Sequence, residues 1–460
     1  MATIDTEYIY NKFRSLFGER FNTSDSIRES HSKDASYHKG TLPFAVVFPK
    51  TNTEVSQLVR LCSEHNIPII PYGTGTGVEG AVTSNENSLC ISLMEMNNIL
   101  HIGQDDGDAT VQAGVTRLQL NKHLADVGTQ IYFPVDPGAD ASIGGMAATR
   151  ASGTSAVSYG TMVDNVLGLT VITPDGSIVK TGGRALKSSA GYDLTRLFIG
   201  SEGTLGIITE ITVKLVRHPE SIAAAVCTFP SIENAVNSVI HIKNAGINLA
   251  RIELLDENQM DAVNNYSGLD YDVAPTLFFE FHGSVNSVVE NSKSVGNITT
   301  LHGGDNFRWT DNDKDRNILW QARYDCYYAS LNLRPGSVGY VTDVCVPISN
   351  LADCILQTKH VLSKSSLLYT ILGHVGDGNF HVVFPLEPAN SDELLEARTI
   401  SSEIVEIALL MDGTCTGEHG IGLGKRDALV KEHEAGVGLM RIIKQALDPY
   451  NLMNPGKVFI

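Results

Sequence analysis

Two histidines flank an Asp-Gly pair in the segment YTILGHVGDGNFHVVF at residues 369–384. An Asp-Gly pair between apolar runs is a strong signal for a β-hairpin with a two-residue type I′ turn. If the Asp377–Gly378 pair forms that turn, His374 lies directly opposite His381, with Cβ atoms about 4.5 to 5.5 Å apart. Two imidazoles so placed could share a metal ion, which would need a third ligand and an open position for substrate. The alternative is that both histidines face solvent.

A second segment, DGTCTGEHGIGLGK at residues 412–425, places Glu418 and His419 next to each other between glycines. Adjacent side chains point in opposite directions along an extended chain. We therefore expect one of the two to bind a metal while the other faces a different reactant. A cap or an exposed turn is the alternative interpretation of this pair.

Glycines are also frequent near residue 75, where Gly75, Gly77 and Gly80 form the G-x-G-x-x-G pattern of dinucleotide-binding proteins. That pattern indicates a Rossmann crossover only when a strand precedes it and a helix follows it. Here β-branched residues predict the strand, but turn-forming residues and then a second apolar run follow the glycines. We therefore predict two strands joined without a helix, and no Rossmann crossover.

Three glycine-rich segments, residues 68–82, 136–168 and 198–210, contain many small side chains and few bulky ones. Glycine lets backbone amides approach a ligand closely. Consecutive N–H groups in such turns form anion-binding nests suited to a pyrophosphate, and small side chains leave room for a planar ring. Any one segment could be a plain turn, but three of them within residues 68–210 favour a common binding site.

The bulk composition narrows the class of protein. The 460 residues are 42% hydrophobic and 19% charged, which suits a large packed core in about two to four domains. A formal net charge of −18 without a local basic block argues against nucleic-acid binding and against electrostatic docking to a membrane.

The seven cysteines are scattered and form no C-x-x-C, so we expect a reducing compartment and no disulfide framework. No apolar run approaches the roughly 18 residues of a membrane span.

The predicted helices and strands that must position these candidate residues divide the chain into four segments. Residues 1–38 predict a polar helical segment whose first helix is amphipathic and unlike a secretory signal. Residues 39–218 alternate short β-rich runs with helices. Residues 219–424 contain a helix capped by Ser231, further strands and a second helix, which predicts an α+β domain with an antiparallel sheet. Residues 425–460 predict a helix followed by an Asn-Pro-Gly turn.

The motifs PYGTGTGVEG, SIGGMAAT, YGTMVDNVLGL and IGSEGTLGIIT resemble the FAD-binding domain of the vanillyl-alcohol oxidase and p-cresol methylhydroxylase (PCMH) superfamily. The resemblance covers about residues 39–218. It implies an α+β fold with a two-subdomain, PCMH-type FAD-binding domain there, an α+β substrate or cap domain with the metal site at 219–424, and a segment at 425–460 that returns to the FAD domain.

The same resemblance implies which residues bind FAD. Residues 73–77 would wrap the pyrophosphate, and residues 207–208 would flank the adenine side. Residues 142–145, 153 and 159–160 would line the isoalloxazine and ribityl region. The implied FAD-binding residues are Pro71, Gly73, Thr74, Gly75, Thr76, Gly77, Asp136, Pro137, Ser142, Gly144, Gly145, Thr149, Gly153, Tyr159, Gly160, Glu202, Gly203, Gly206, Ile207, Ile208 and Asn454.

The motifs GHVGDGNFH, GTCTGEHGIGLGKR, GYVTDVCVP and LDPYNLMNPGKVF resemble the FAD-linked D-2-hydroxyacid dehydrogenases, with the cytochrome-linked members that oxidise D-lactate as the nearest group. This implies that His374, His381 and Glu418 hold a divalent metal. It also implies that His419 is the catalytic base and that Arg323, in LWQAR, clamps the substrate carboxylate. Two imidazoles and a carboxylate suit Zn, Mn or Fe better than Ca or Mg.

The implied activity is oxidation of a D-2-hydroxyacid, D-lactate to pyruvate above all, by hydride transfer to flavin N5. The sequence has no haem motif and no iron–sulfur cysteines. Electrons would therefore pass to an external acceptor such as cytochrome c, a quinone or an electron-transfer flavoprotein. The related 2-hydroxyglutarate dehydrogenases have a lysine where this chain has Val341, which favours a shorter or more apolar acid.

Alternatives stay open at this point. The chain could be the FAD subunit of a glycolate oxidase, a D-2-hydroxyglutarate dehydrogenase, or a flavin-binding partner subunit without activity. The expected location is the cytoplasm, the mitochondrial matrix or the intermembrane space, with peripheral association with the inner membrane as a further option. A homodimer is one option for the oligomeric state.

The flavin is expected to be bound non-covalently. Many members of the superfamily tether FAD through His or Cys, but residues 71–80 contain no histidine and no other position matches a known tether. Acid precipitation of the purified protein should therefore release yellow flavin into the supernatant, measured by its visible absorbance. Flavin that stays with the pellet would reveal a covalent link.

Overall fold

The computed structural model describes residues 6–459. Its α-helices are α1 (Thr6–Phe17), α2 (Asp25–Ser30), α3 (Asn52–His65), α4 (Arg117–Asp126), α5 (Ile143–Thr149), α6 (Ala156–Tyr159), α7 (Met162–Asn165), α8 (Leu194–Phe198), α9 (Ile232–Asn244), α10 (Glu257–Ser267), α11 (Val285–Leu301), α12 (Asp313–Tyr324), α13 (Cys326–Asn332), α14 (Leu351–Leu362), α15 (Ser391–Leu410), α16 (Arg426–His433) and α17 (Ala435–Leu447). Short 3-10 helices occupy Gly18–Arg20, Leu93–Glu95 and Ile348–Asn350.

The β-strands are β1 (Phe21–Asn22), β2 (Ala45–Val47), β3 (Ile69–Tyr72), β4 (Leu89–Ser92), β5 (Ile99–Gly103), β6 (Asp108–Gln112), β7 (Ile131–Tyr132), β8 (Val166–Ile172), β9 (Ile178–Gly182), β10 (Ile207–Lys214), β11 (Val216–Arg217), β12 (Ser221–Thr228), β13 (Arg251–Leu255), β14 (Thr276–Gly283), β15 (Asp305–Thr310), β16 (Val338–Val341), β17 (Val344–Cys345), β18 (Thr370–Gly373) and β19 (Asn379–Leu386). Helices and strands are mixed along the chain, which confirms the predicted α+β class.

The chain divides into two compact units. Unit 1 consists of Met1–Ser152, Thr161–His218 and Glu418–Ile460, and unit 2 consists of Gly153–Gly160 and Pro219–Gly417. The division at residue 218 coincides with the predicted boundary, but residues 153–160 group with unit 2 and residues 418–424 with unit 1. Hydrogen bonds described below tie these two segments to their units.

Unit 1 contains two larger sheets and a two-stranded one. The first sheet has the order β1-β2-β4-β3, with β4 parallel to both β2 and β3. The second has the order β5-β6-β10-β8-β9 and is antiparallel throughout. Two such sheets confirm the predicted two-subdomain arrangement.

Helix α3 shows why the sequence folds locally as it does. Thr51 caps its N-terminus by accepting a hydrogen bond from the backbone N–H of Glu54. Val55, Leu58 and Cys62, at helical spacing, are fully buried in the core of unit 1. The first helix, α1, likewise buries Ile9, Phe13 and Phe17 at helical spacing, whereas Leu16 is 49% exposed.

Strands β3 and β4 pair in parallel, with Ile69 opposite Leu89. The connection between them, residues 73–88, is fully described and contains no helix. The prediction that the glycine pattern lies between two strands and opens no Rossmann helix is therefore confirmed. The connection instead consists of turns, and Gly75 adopts a positive φ of 69°.

Unit 2 is built on an antiparallel sheet with the order β15-β12-β14-β13-β18-β19-β16, and β17 pairs with β19 beside it. Helix α9 begins after Ser231, whose side chain accepts a hydrogen bond from the backbone N–H of Asn234, as predicted. It ends at Asn244, and Gly246 follows with a φ of 71°. This sheet confirms the predicted antiparallel α+β architecture. None of the described helices has both the length and the apolar composition of a membrane span.

The histidine hairpin has a different register from the predicted one. Leu372 pairs with His381. Continued by two residues, this register places His374 across from Asn379, with four residues between these two positions rather than the two-residue turn that was predicted. The prediction of a two-residue turn is wrong because the loop packs closely. Gly378 alone of the Asp-Gly pair has a positive φ, of 82°, and its carbonyl oxygen accepts a hydrogen bond from the backbone N–H of Val346. The register differs by two residues, so both histidines stay on one face.

Gly378 provides a test of this loop. An added Cβ would overlap the carbonyl oxygen of Val346. Gly336 has a similar φ of 88° but no atom within 4 Å of an added Cβ. Gly336→Ala should therefore cost only the backbone strain, about 1 to 2 kcal/mol, while Gly378→Ala should lower the free energy of unfolding by clearly more. Urea unfolding of both variants measures the difference, and equal losses would contradict the close packing.

Candidate active site

A pocket in unit 1 brings together ten of the 21 residues predicted to bind a flavin. Its lining consists of Pro71, Tyr72, Gly73, Ala81, Val82, Leu93, Ala113, Ser142, Gly144, Gly145, Ala148, Thr149, Glu202, Gly203, Gly206 and Ile208. Small residues from three separate glycine-rich segments thus meet at one place. Tyr72, Leu93 and Ala113 were not predicted because they carry no glycine signal.

Close approach of backbone segments explains the glycines of this pocket. Gly203 has a φ of 72°, and a Cβ there would lie 2.9 Å from Pro71. A Cβ on Gly144 would lie 2.5 Å from Ala113. The resulting cleft between small side chains fits the planar ring of a flavin.

The loop at residues 73–77 lies next to this pocket along the chain. Thr74 Oγ1 is 3.3 Å from Thr76 Oγ1 and accepts a hydrogen bond from the backbone N–H of Ser142 at 3.4 Å. The loop is therefore tied to the start of α5, where Ser142 itself accepts a hydrogen bond from the backbone N–H of Gly145.

Several predicted flavin residues lie elsewhere. Asp136 forms an ion pair with Arg117 at 3.2 Å. Ile207 is fully buried in the core of unit 1, because adjacent residues of a strand face opposite sides and Ile208 faces the pocket. The structure groups Gly153, Tyr159 and Gly160 with unit 2, where the Tyr159 hydroxyl lies 2.6 Å from Nδ1 of His282.

Glu202 connects the pocket to the C-terminal segment of unit 1. Its carboxylate accepts hydrogen bonds from the backbone N–H groups of Ile421 at 2.6 Å and Gly422 at 2.8 Å. Asn454 donates to the backbone carbonyls of Glu202 and Ala81. Burial raises the pKa of Glu202 to about 7, although these amides and two nearby lysines oppose the shift. The hydrogen bonds that the side chains of Glu202 and Asn454 form here are thus to protein backbone.

Glu418 and His419 begin this C-terminal segment. Ser152 donates a hydrogen bond from its hydroxyl to Glu418 at 3.0 Å. Nε2 of His419 lies 3.7 Å from Oε1 of Glu418, so the expectation that the two side chains point in opposite directions is wrong. The chain is a loop here rather than extended strand, and Gly420 turns it with a φ of 80°.

His374 and His381 lie beside each other on one face of the unit 2 sheet, both buried, with ring centroids 5.4 Å apart. Nδ1 of His374 donates to the carboxylate of Glu253 at 2.8 Å. Nδ1 of His381 lies 3.1 Å from the carbonyl oxygen of Thr342, which can only accept. Both rings therefore carry a proton on Nδ1, and the neutral form of each ring has its lone pair on Nε2.

This pair of rings fits a divalent transition metal. Metal-binding histidines ordinarily donate their second N–H to a carboxylate or a backbone carbonyl, which fixes the tautomer and orients the ring. His374 has the first kind of partner and His381 the second. Glu253 was missed by the sequence analysis, since a single acidic residue in the apolar strand RIELL has no motif around it.

Arg323 lies on the same face and is 8% exposed. Its Nε and Nη2 donate to Oε2 of Glu253 at 2.8 and 2.7 Å. The preceding tryptophan of the predicted motif, Trp320, is also buried, and the guanidinium of Arg251 lies 4.8 Å from its ring centre.

A second Arg–Glu–His group lies on this face. Glu280 contacts Nε of Arg251 at 3.4 Å and Nε2 of His282 at 2.8 Å. Burial alone would raise the pKa of Glu280, but the hydrogen bond from His282 and the surrounding cations outweigh it and lower the pKa. The face therefore carries two buried carboxylates, each between an arginine and a histidine.

Comparisons with known proteins agree with these features. Residues 218–458 match the family model of the C-terminal domain of FAD linked oxidases, and residues 43–182 match an FAD binding domain. The chain is 49% identical to a probable mitochondrial D-lactate dehydrogenase of Danio rerio, over 99% of this chain and 92% of the relative. It is 43% identical to a mitochondrial D-lactate dehydrogenase [cytochrome] of Arabidopsis thaliana, over 98% and 80%.

The fold is also that of a solved structure. Over 98% of this chain and 96% of the other, the structure of p-cresol methylhydroxylase with substrate bound superposes with a TM-score of 0.82 at 19% identity. The fold and the family resemblance inferred from the sequence are confirmed.

Glu202 predicts a pH dependence of stability. Its pKa is raised from an ordinary value of 4.5 to about 7, so between these values the unfolded chain has lost a proton that the folded chain retains. Its contribution to stability is then fully present below pH 4.5 and is lost as the pH rises to about 7. Glu202→Gln should remove this loss.

Urea unfolding from pH 5 to 8 measures the effect, with Glu233→Gln, an exposed position on α9, as the control. The wild type and the control should lose stability with rising pH relative to Glu202→Gln. Parallel pH profiles in all three proteins would contradict the assignment.

Proposed function

We propose a function from one premise, that this chain belongs to the family of FAD-linked oxidases. It is an FAD-dependent dehydrogenase that oxidises a D-2-hydroxyacid, D-lactate, to pyruvate. The observation that carries the proposal is the buried set His374, His381 and Arg323 on one sheet face. Two imidazole ligands and a cation match a substrate with a hydroxyl beside a carboxylate.

Arg323 binds the substrate carboxylate in this proposal. Glu253 occupies the edge of its guanidinium formed by Nε and Nη2. A substrate carboxylate would bind the same guanidinium in the planar geometry that arginine favours. The contact orients the Cα–H bond of the substrate.

A divalent ion, Zn, Mn or Fe, would be held by Nε2 of His374 and of His381, with Glu418 assigned as the third ligand from its sequence motif. When bound, the ion lowers the pKa of the substrate hydroxyl. Support for the two histidines comes from their shared tautomer.

His419 acts as the general base. An imidazole nitrogen of this residue takes the hydroxyl proton, since histidine has an unperturbed pKa of about 6.5, suited to proton transfer near neutral pH. FAD, when bound non-covalently in the unit 1 pocket, supplies the two-electron acceptor for the hydride.

The substrate is small or apolar beyond its hydroxyacid group. Val341 pairs with Val383 and packs half-buried against the cluster that contains Trp320, so this position offers no charge for a second carboxylate. Arg334 is the basic residue that could replace the missing lysine as a partner for a second carboxylate. It donates to Glu393 at 2.9 Å and lies 3.3 Å from Glu387. Both observations favour D-lactate over D-2-hydroxyglutarate.

The names of the relatives support two further parts of the proposal. Electrons pass to an external acceptor, a cytochrome, because one relative is a D-lactate dehydrogenase [cytochrome]. The protein works in the mitochondrion, as both named relatives do.

Anaerobic mixing with substrate tests the proposal. D-lactate should bleach the flavin absorbance, L-lactate should not, and D-2-hydroxyglutarate should react with a kcat/KM lower by roughly tenfold or more, the worth of a missing charge-assisted contact. His419→Ala and His419→Gln should retain FAD and bleach about 10²- to 10⁴-fold more slowly.

His433→Ala is the matched control, because His433 also follows a glutamate and lies 3.4 Å from it, but is exposed on the surface of unit 1. It should bleach at the wild-type rate. Wild-type bleaching rates in both His419 variants would show that His419 is not the general base. If no 2-hydroxyacid bleaches the flavin of the wild type, the dehydrogenase proposal fails and the alternative of a flavin-binding partner subunit remains.

A further inference from the structure

Glu253 lies fully buried on β13, between two residues that the proposed function uses. Oε1 accepts the Nδ1 proton of His374 at 2.8 Å, and Oε2 accepts from Nε and Nη2 of Arg323 at 2.8 and 2.7 Å. The strand register explains the first contact, because Leu254 pairs with Gly373 and Glu253 comes next to His374. One carboxylate therefore contacts both functional side chains.

We propose that Glu253 is a positioning residue that sets the orientation of both the metal ligand His374 and the carboxylate clamp Arg323. The inference rests on the proposed function and adds a residue that acts through two others. It predicts that a single substitution weakens metal binding and substrate binding together.

The electrostatics require the three side chains to act as a unit. A buried carboxylate is costly unless it is paired, and removing one partner of a buried pair leaves an uncompensated charge. Arg323 and His374 are themselves 8% and 7% exposed, so solvent cannot replace Glu253. A carboxylate that accepts the second N–H of a metal-binding histidine also raises its basicity, and its loss typically costs about 10- to 100-fold in metal affinity.

Glu280 offers a matched control in the same sheet. It is also a buried glutamate between an arginine and a histidine, Arg251 and His282, and it contacts none of the proposed metal or substrate residues. If Glu253 served only to satisfy buried charge, Glu253→Gln and Glu280→Gln would change the protein in the same way.

The experiment uses the FAD-containing protein with all 460 residues, stripped of metal with a chelator and titrated with Mn²⁺. The electron paramagnetic resonance signal of free Mn²⁺ gives the Kd without any activity measurement. Glu253→Gln should raise the Kd by about 10- to 100-fold, Glu253→Asp by less because the charge is kept, and Glu280→Gln by less than about twofold. Glu253→Gln should also raise the KM for D-lactate, because Arg323 loses its orientation.

A Kd for Glu253→Gln equal to that of Glu280→Gln would overturn the inference while leaving the proposed function intact. A wild type that binds no Mn²⁺ would overturn both. If Glu253→Gln does not fold, the double variant Glu253→Gln/Arg323→Met removes both buried charges and serves instead. It should bind Mn²⁺ at least about tenfold more weakly than wild type, and wild-type affinity in this variant would equally overturn the inference.

Discussion

The carboxylate of Glu253 is buried and shared between Arg323 and His374, and the proposed chemistry of unit 2 depends on this interaction. It lies on β13, which is hydrogen-bonded to β14 on one side and β18 on the other. Side chains on such a strand are held more accurately than side chains on loops. The tautomer of the histidine and the plane of the guanidinium are both consequences of this one position.

The pocket of unit 1 is built in a different way. Its pocket is lined by glycine and other small residues because backbone segments meet there at close range. One buried carboxyl group of this unit, that of Glu202, contacts protein backbone, since it accepts hydrogen bonds from the N–H groups of Ile421 and Gly422. These amides follow Glu418 and His419 closely along the chain, so the contact restrains the loop that carries both residues.

The sequence allowed the fold class, the glycine-lined pocket and the face shared by the two histidines to be predicted. The face was predicted correctly although the register was not, because strand side chains alternate with a period of two and the error was two residues. The turn itself could not be read from Asp377 and Gly378, since its geometry depends on packing against Val346, which is distant in sequence.

Other features depend on contacts that no local pattern reveals. Glu253 is 70 residues from Arg323 and 121 from His374. The pairing of β13 with β18 brings it to His374, and the packing of α12 against the sheet brings it to Arg323. The mutual orientation of Glu418 and His419 was predicted from an extended chain, whereas the chain forms a loop there. Motifs therefore indicated candidate reactive residues, and contacts between distant parts of the chain revealed Glu253, which is proposed to orient two of them.

The most direct test of this metal site is anomalous diffraction at the zinc edge from crystals of the protein soaked in Zn²⁺. One strong peak is expected about 2.0 to 2.1 Å from Nε2 of both His374 and His381, with Nδ1 of His374 still bonded to Glu253. A peak beside Nδ1 of either ring, or no peak at these histidines, would contradict it.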